Sequence, residues 1–142
     1  MRNTFVLFAV VAVAGVFLSN AGSSKGDKPL HTGEISASEF TGIWRGSEKC
    51  SGVDAPVSVI EIKEEGPGVF SITGLYSVKG KIAAEVKNNM LHIPRQEVND
   101  PNFKNLKIEG TLTLSVREKS LTGFIVVLNN DVRDDCIVRY QR

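Results

Sequence analysis

From residue 42 to the end of the chain, apolar side chains recur at every second position, and turn-forming Gly, Asn, Asp or Pro break the pattern roughly every ten residues. A period of two belongs to strands whose side chains alternate between two faces. No stretch beyond Phe40 keeps the 3.6-residue period of a helix. The pattern predicts an all-β fold with strands over 42–50, 57–64, 69–78, 81–87, 90–95, 106–116, 121–128 and 136–141. The cleanest is 106–116, where Leu106, Ile108, Leu112, Leu114 and Val116 alternate with Lys107, Glu109, Thr111, Thr113 and Ser115, so one face is buried and one is wet. In 121–128, Leu121, Ile125 and Val127 match the inward face. Phe124, Val126 and Leu128 then form an outward row, either a contact surface for a partner protein or a row covered by a loop.

Two turns set the register. Asn88-Asn89 supplies the two positive φ angles of a type I′ hairpin, pairing Lys87 with Met90, Val86 with Leu91, Glu85 with His92 and Ala84 with Ile93. That places Val86, Leu91, Ala84 and Ile93 inward and the Glu85–His92 pair outside. A turn at Glu118-Lys119 sets Leu112 opposite Ile125, with Gly110 and Gly123 on the same inward face. The longest stretch without a pattern, 96–105, is expected to be a loop at one end of the sheet, with Phe103 as a lid over any opening there. Ser36 and Glu39 have capping-box spacing, which predicts one helical turn ahead of Phe40 that plugs the other end.

The chain starts differently. Arg2 precedes an apolar run over 5–18, too short to span a bilayer, and small residues follow it, which reads as a secretory signal over 1–21. No cysteine follows that run, so no lipid attachment is expected, and after cleavage no membrane span remains. Residues 22–38 are polar and rich in Gly and Ser, a flexible leader, and 39–142 form one domain. Of 17 Lys+Arg and 16 Asp+Glu, only Arg2 lies in the signal, so the mature chain carries 16 of each. The charges are interspersed, which excludes nucleic acid as a natural partner.

Export changes how the two cysteines are read. In an oxidising compartment an even count favours a disulfide, here Cys50 with Cys136, over a metal site or a reactive thiol. The tie joins the first strand to the last, so the sheet closes into a barrel. In that register Glu48 faces Val138, Gly46 faces Tyr140, and Trp44 faces Arg142, whose guanidinium can sit on the indole.

Gly42-Ile43-Trp44 on the first strand, with Arg142 or Arg139 at the end of the last, resembles the Gly-x-Trp and arginine pair of the lipocalins and the wider calycins, above all small exported bacterial β-barrel domains of that type. The resemblance spans 40–142 in strand count and order. The lipocalins' Thr-Asp-Tyr type turn has no counterpart in Asn129-Asn130-Asp131-Val132-Arg133-Asp134-Asp135. The resemblance implies an eight-stranded antiparallel up-and-down barrel in which Gly42, Trp44 and Arg142 close the blind end. It also implies a small apolar molecule held inside. The acidic turn and Gly-x-Trp of residues 37–44 are similar, too, to small exported inhibitors of secreted metalloproteases, which act through an N-terminal leader.

Catalytic chemistry is not legible. His31 lies in the leader and His92 faces outward, Glu64-Glu65 and Asp134-Asp135 read as solvated turns, and the oxygens of Asn129, Asp131 and Asp134 lack the spacing of a calcium loop. No cofactor, metal or enzyme activity is expected. The sequence points to a secreted or periplasmic binding module whose apolar pocket is lined by Phe70, Ile72, Tyr76, Ile108, Leu112, Leu114, Ile125 and Tyr140. An inhibitor acting through the leader and a structural contact domain with a filled barrel are the alternatives.

Overall fold

A computed structural model describes residues 34–51, 53–54 and 57–142. The expected signal over 1–21, His31 and most of the expected leader over 22–38 lie outside the described residues. The strands are β1 (Gly42–Cys50), β2 (Val53–Asp54), β3 (Ser58–Gly66), β4 (Val69–Thr73), β5 (Ile82–Lys87), β6 (Met90–Asp100), β7 (Phe103–Ser115), β8 (Ser120–Asn129) and β9 (Val132–Gln141). Each pairs antiparallel with its neighbour, and β1 also pairs with β9. The two-residue β2 follows the same edge of β1 as β3, so the wall is a closed, eight-stranded, up-and-down barrel. Closure removes the free edges that an open sheet exposes.

The tie between ends is as the alternation implies. Cys50 and Cys136 form a disulfide across the β1–β9 ladder, with Glu48 opposite Val138 and Gly46 opposite Tyr140. At the other end a 3₁₀ turn, Ala37–Phe40, carries Phe40 into the core edge-to-face with Phe70, ring centroids 6.2 Å apart. The capping box is not made: the Ser36 hydroxyl pairs with Ser38 instead, and the turn is held by Glu39 N–H donating to Ser36 C=O at 2.9 Å. Trp44 donates its indole N–H to Phe40 C=O at 2.9 Å, and the Arg142 guanidinium lies 4.5 Å from the ring centroid while donating to Glu39 C=O at 2.8 Å. Ile35 adds an N–H bond to Asn89 Oδ1, so residues ahead of β1 approach at this plugged end.

Several expectations are corrected. The strand over 69–78 stops at Thr73, because Gly74 turns the chain at φ 89°, where an added Cβ would lie 2.2 Å from Val59 C=O. A short 3₁₀ segment, Leu75–Ser77, follows. The long loop does not exist: β6 runs to Asp100 and β7 starts at Phe103, so only Pro101 and Asn102 connect them. Two irregularities in the ladder, between Ile93 and Gln96 and between Val98 and Asp100, had disguised the alternation. Asn129–Asp135 likewise shortens to a tight turn with Asn130 and Asp131 both at positive φ.

The Asn88-Asn89 hairpin has the expected register down to Glu85 opposite His92. The β5–β6 ladder ends there, so the expected Ala84–Ile93 pair is not made, and past it, where Pro94 has no N–H to give, the Gln96 amide replaces backbone pairing. Its Oε1 accepts Ala83 N–H at 2.8 Å and its Nε2 donates to Ala83 C=O at 2.7 Å.

The β7–β8 register is two residues away from expectation. Only Lys119 in the turn has positive φ, so a two-residue type I′ turn is not formed, and Ser115 pairs with Ser120 across four connecting residues. Leu112 therefore faces Gly123, and Ile125 faces Gly110. A Cβ on Gly123 would lie 2.7 Å from Leu112 Cδ2, and one on Gly110 2.7 Å from Ile125 Cγ2, so each glycine makes room for a large neighbour. Leu112 and Ile125 are 0% exposed, as are Ile72, Leu91, Ile93 and Leu106, which means that no void wide enough for a water touches them. The barrel interior is filled at this level. Leu112→Trp is accordingly expected to destabilise by about 1–3 kcal/mol in urea unfolding, because the added ring has no empty space to enter.

The outward row of β8 is not a continuous apolar stripe. Phe124 is 46% exposed beside Ile137 of β9, but Val126 is buried and Leu128 half-buried. Val126 lies between Glu109 and Asp135, and Leu128 between Lys107 and Arg133, whose longer side chains shield them.

Candidate functional site

At the disulfide end of the barrel, the chain between β4 and β5 folds inward and buries Leu75 and Val78 completely. Asp100 holds that segment down. Its Oδ2 accepts from the N–H groups of Lys79 and Gly80, and its Oδ1 from Asn102 N–H at 2.8 Å, so one carboxylate clamps the β6–β7 turn to the inward segment. Burial raises its pKa, but the three backbone donors outweigh burial and hold it below the ordinary aspartate value.

Between this segment, the β1–β9 pair and the tip of β7 lies a cleft of about 410 Å³ lined by Glu48, Cys50, Ser51, Tyr76, Ser77, Phe103 and Asp134. Its walls combine the Tyr76 and Phe103 rings, with centroids 5.9 Å apart, with two carboxylates. Glu48 is 3% exposed on the inward face of β1. It accepts from Ser58 Oγ at 3.0 Å, from Tyr76 N–H at 3.0 and 3.1 Å through its two oxygens, and from the Tyr140 hydroxyl. Asp134 accepts from the Tyr76 hydroxyl at 2.8 Å and from Ser51 Oγ. Tyr76 is thus gripped at both ends, by Glu48 at its backbone and by Asp134 at its phenol.

That grip holds unfavourable backbone geometry. Ser51, Tyr76 and Ser77 have φ of 45°, 54° and 59°, a left-handed region that non-glycine residues enter at a cost, and all three line the cleft. Glu48 receiving the Tyr76 N–H and Asp134 receiving its hydroxyl both help to offset that cost. Backbone strain here is part of how the ring is presented.

The sequence-derived residues separate into three places. Phe70, Ile72, Ile108, Leu112, Leu114, Ile125 and Tyr140 are together in the filled core, each at most 6% exposed. Tyr76 and Phe103 are together at the cleft, where Phe103 opens β7 and packs partly against the core, although it belongs to no long loop. Gly42, Trp44 and Arg142 are at the plugged end. Glu48, Ser51 and Ser58 were not singled out, yet Glu48 carried a readable signal as a charged residue on the same face as Cys50, and Asp134, read as a solvated turn residue, instead accepts from Tyr76 and Ser51. Asp134 carried no such signal, since a turn carboxylate gives no hint of a phenol 58 positions away.

Cys50, Cys136 and Asp134 place donor atoms close together, but the sulfurs are bonded to each other and are not thiolate ligands.

Burial, the bond to Asp134 and the charges of Asp134 and Glu48 push the Tyr76 phenol up to about 12. Burial, then the Glu48 carboxylate, also raises Tyr140. Between the ordinary tyrosine value near 10 and these folded values, the native state keeps protons that the unfolded state has lost. Stability is therefore full below that range and falls as pH rises through it. Alkaline titration should show no phenolate absorbance from folded protein until pH passes 10, and because the chain has only two tyrosines, any earlier signal would mean that one of them is not held as described.

No protein-family model matches the chain, and no curated protein matches it significantly. Solved structures do. A redesigned beta barrel superposes with a TM-score of 0.57 at 18% identity over 75% of this chain and 94% of its own. A second redesigned beta barrel, mFAP1 bound to DFHBI, does so with a TM-score of 0.56 at 18% identity over 75% of this chain and 98% of its own. At that identity the likeness defines the fold, a small closed β-barrel. Among the described residues no helix is long and apolar enough to cross a membrane.

Proposed function

We propose that this is an exported, non-catalytic binding module of lipocalin-like type that takes a small, largely apolar molecule at the mouth of its barrel. The observation that carries the reading is the cleft itself, with Tyr76 held in left-handed backbone geometry opposite Phe103 by two carboxylates that line the same cleft. Ligand binding by mFAP1 supports it by analogy of fold, and the disulfide supports export together with the apolar run at residues 5–18. The filled interior moves the site from the barrel's middle to its mouth. Action as an inhibitor through the leader has less support, because residues 34–40 approach the plugged end and not the mouth. A non-catalytic role is supported by His92, which pairs with Glu85 at the far end of the wall.

The test uses the neutral fluorescent probe N-phenyl-1-naphthylamine. Saturable binding that weakens in Phe103→Ala and persists in Leu112→Phe supports a mouth site. Binding lost in Leu112→Phe but kept in Phe103→Ala would relocate the ligand to the interior, and no binding at all would remove the reading.

A further inference from the structure

We infer that the molecule accepted at the mouth is a small organic cation, an aromatic or aliphatic amine, seated on Tyr76 and Phe103 with its ammonium directed at Glu48 and Asp134. The inference rests on the mouth-binding reading and adds the charge and class of the ligand.

The first argument is an unbalanced charge. Buried carboxylates are ordinarily paired with a cation. Glu48 is 3% exposed, and all its partners are neutral: a serine hydroxyl, a tyrosine hydroxyl and one backbone N–H. Its Oε2, beside the cleft, accepts only a share of that N–H, at 3.1 Å, and no cation is among the partners of either oxygen. Among the described residues, ion pairs join Lys49 to Asp54, Lys63 to Glu61, Lys81 to Glu65, Lys87 to Glu85 and Arg133 to Asp135, and none reaches Glu48 or Asp134. Arg133 and Asp135 flank Asp134 yet pair with each other, leaving the middle carboxylate to the cleft.

The second argument is the wall opposite. Two aromatic rings tilted by 40° form a corner whose faces carry negative partial charge, a favourable seat for a cation with an apolar body. A neutral ligand gains from the rings alone and binds more weakly, because it strips water from two carboxylates without compensating either, and an anion would add repulsion. Only a cation gains from both walls.

Three probes of one shape separate these cases: 2-phenylethylamine, 2-phenylethanol and 3-phenylpropionate, titrated calorimetrically into the full exported chain at low salt. The amine should bind about tenfold or more tighter than the alcohol, the size of one good charge contact, and the acid should not bind. Raising the salt should narrow the gap. Glu48→Gln keeps a hydrogen-bond acceptor at Oε1 but removes the charge, and with Asp134→Asn it should bring amine and alcohol together, read as the ratio of the two affinities within the same variant. Equal binding of amine and alcohol by wild type, lost in Phe103→Ala, would overturn the cation inference and leave the mouth reading intact. Binding by none of the three, or binding indifferent to Phe103→Ala, would overturn both. If Glu48→Gln alone fails to fold, Asp134→Asn still carries the comparison, since its carboxylate is near the surface.

Discussion

Trp44→Ala is expected to lower the unfolding free energy by about 3–5 kcal/mol, as for a fully buried aromatic whose cavity cannot collapse. The indole is 1% exposed, donates its N–H to Phe40 C=O, and lies under the Arg142 guanidinium, which itself holds Glu39 C=O and Thr41 C=O. One substitution therefore loosens the whole plug: the ring, the turn that positions Phe40, and Arg142 just beyond β9. Trp44→Phe should recover part of the loss by restoring most of the volume without the N–H. Because Trp44 is the chain's only tryptophan, urea unfolding must be followed by circular dichroism. A loss below about 1 kcal/mol, the range of surface substitutions, would mean that the plug closes the barrel only in appearance.

Replacing both cysteines, Cys50→Ala with Cys136→Ala, should cost roughly 4 kcal/mol, because the bond closes a long loop and restricts the unfolded chain. The sequence separation is 86 residues, and the bonded pair sits where first and last strands meet. The folded variant should keep the β1–β9 ladder, since Arg45 to Lys49 pair with β9 without the sulfurs. Equilibrium unfolding with and without the bond measures the difference. A change within about 1 kcal/mol would show that the unfolded chain is already restricted near this pair. Thiol titration of the unfolded wild-type protein should find no free cysteine, in line with the bonded pair.

What the sequence could reveal followed from period-two alternation and from turn residues with strong φ preferences. Strand β1, the Asn88-Asn89 hairpin, the Cys50–Cys136 tie and the Trp44–Arg142 contact were all legible for that reason. Errors arose where alternation is interrupted by side chains that imitate backbone. Gln96 substitutes for a ladder bond, and Asp100 ties the β6–β7 turn to Lys79 and Gly80, so 96–105 looked patternless while being a hairpin. The β7–β8 register slipped because a two-residue turn needs positive φ at both Glu118 and Lys119, which charged residues do not favour. The candidate cleft was half visible. Its rings, Tyr76 and Phe103, stood out by residue type, but the carboxylates that hold Tyr76 come from β1 and β9, and only closure of the barrel brings those strands to the same place.

The interruption before Pro94 bears on how this barrel behaves in a crowd of its own kind. Where the β5–β6 ladder ends, backbone groups are left without a ladder partner, and such groups are what a strand from another molecule can add to. Both sides are disarmed. Proline contributes no N–H on one side, and on the other the Ala83 peptide, donor and acceptor alike, is already taken by the Gln96 amide. A local defect in the wall thus stays a defect of one molecule, and does not become the seed of a fibre.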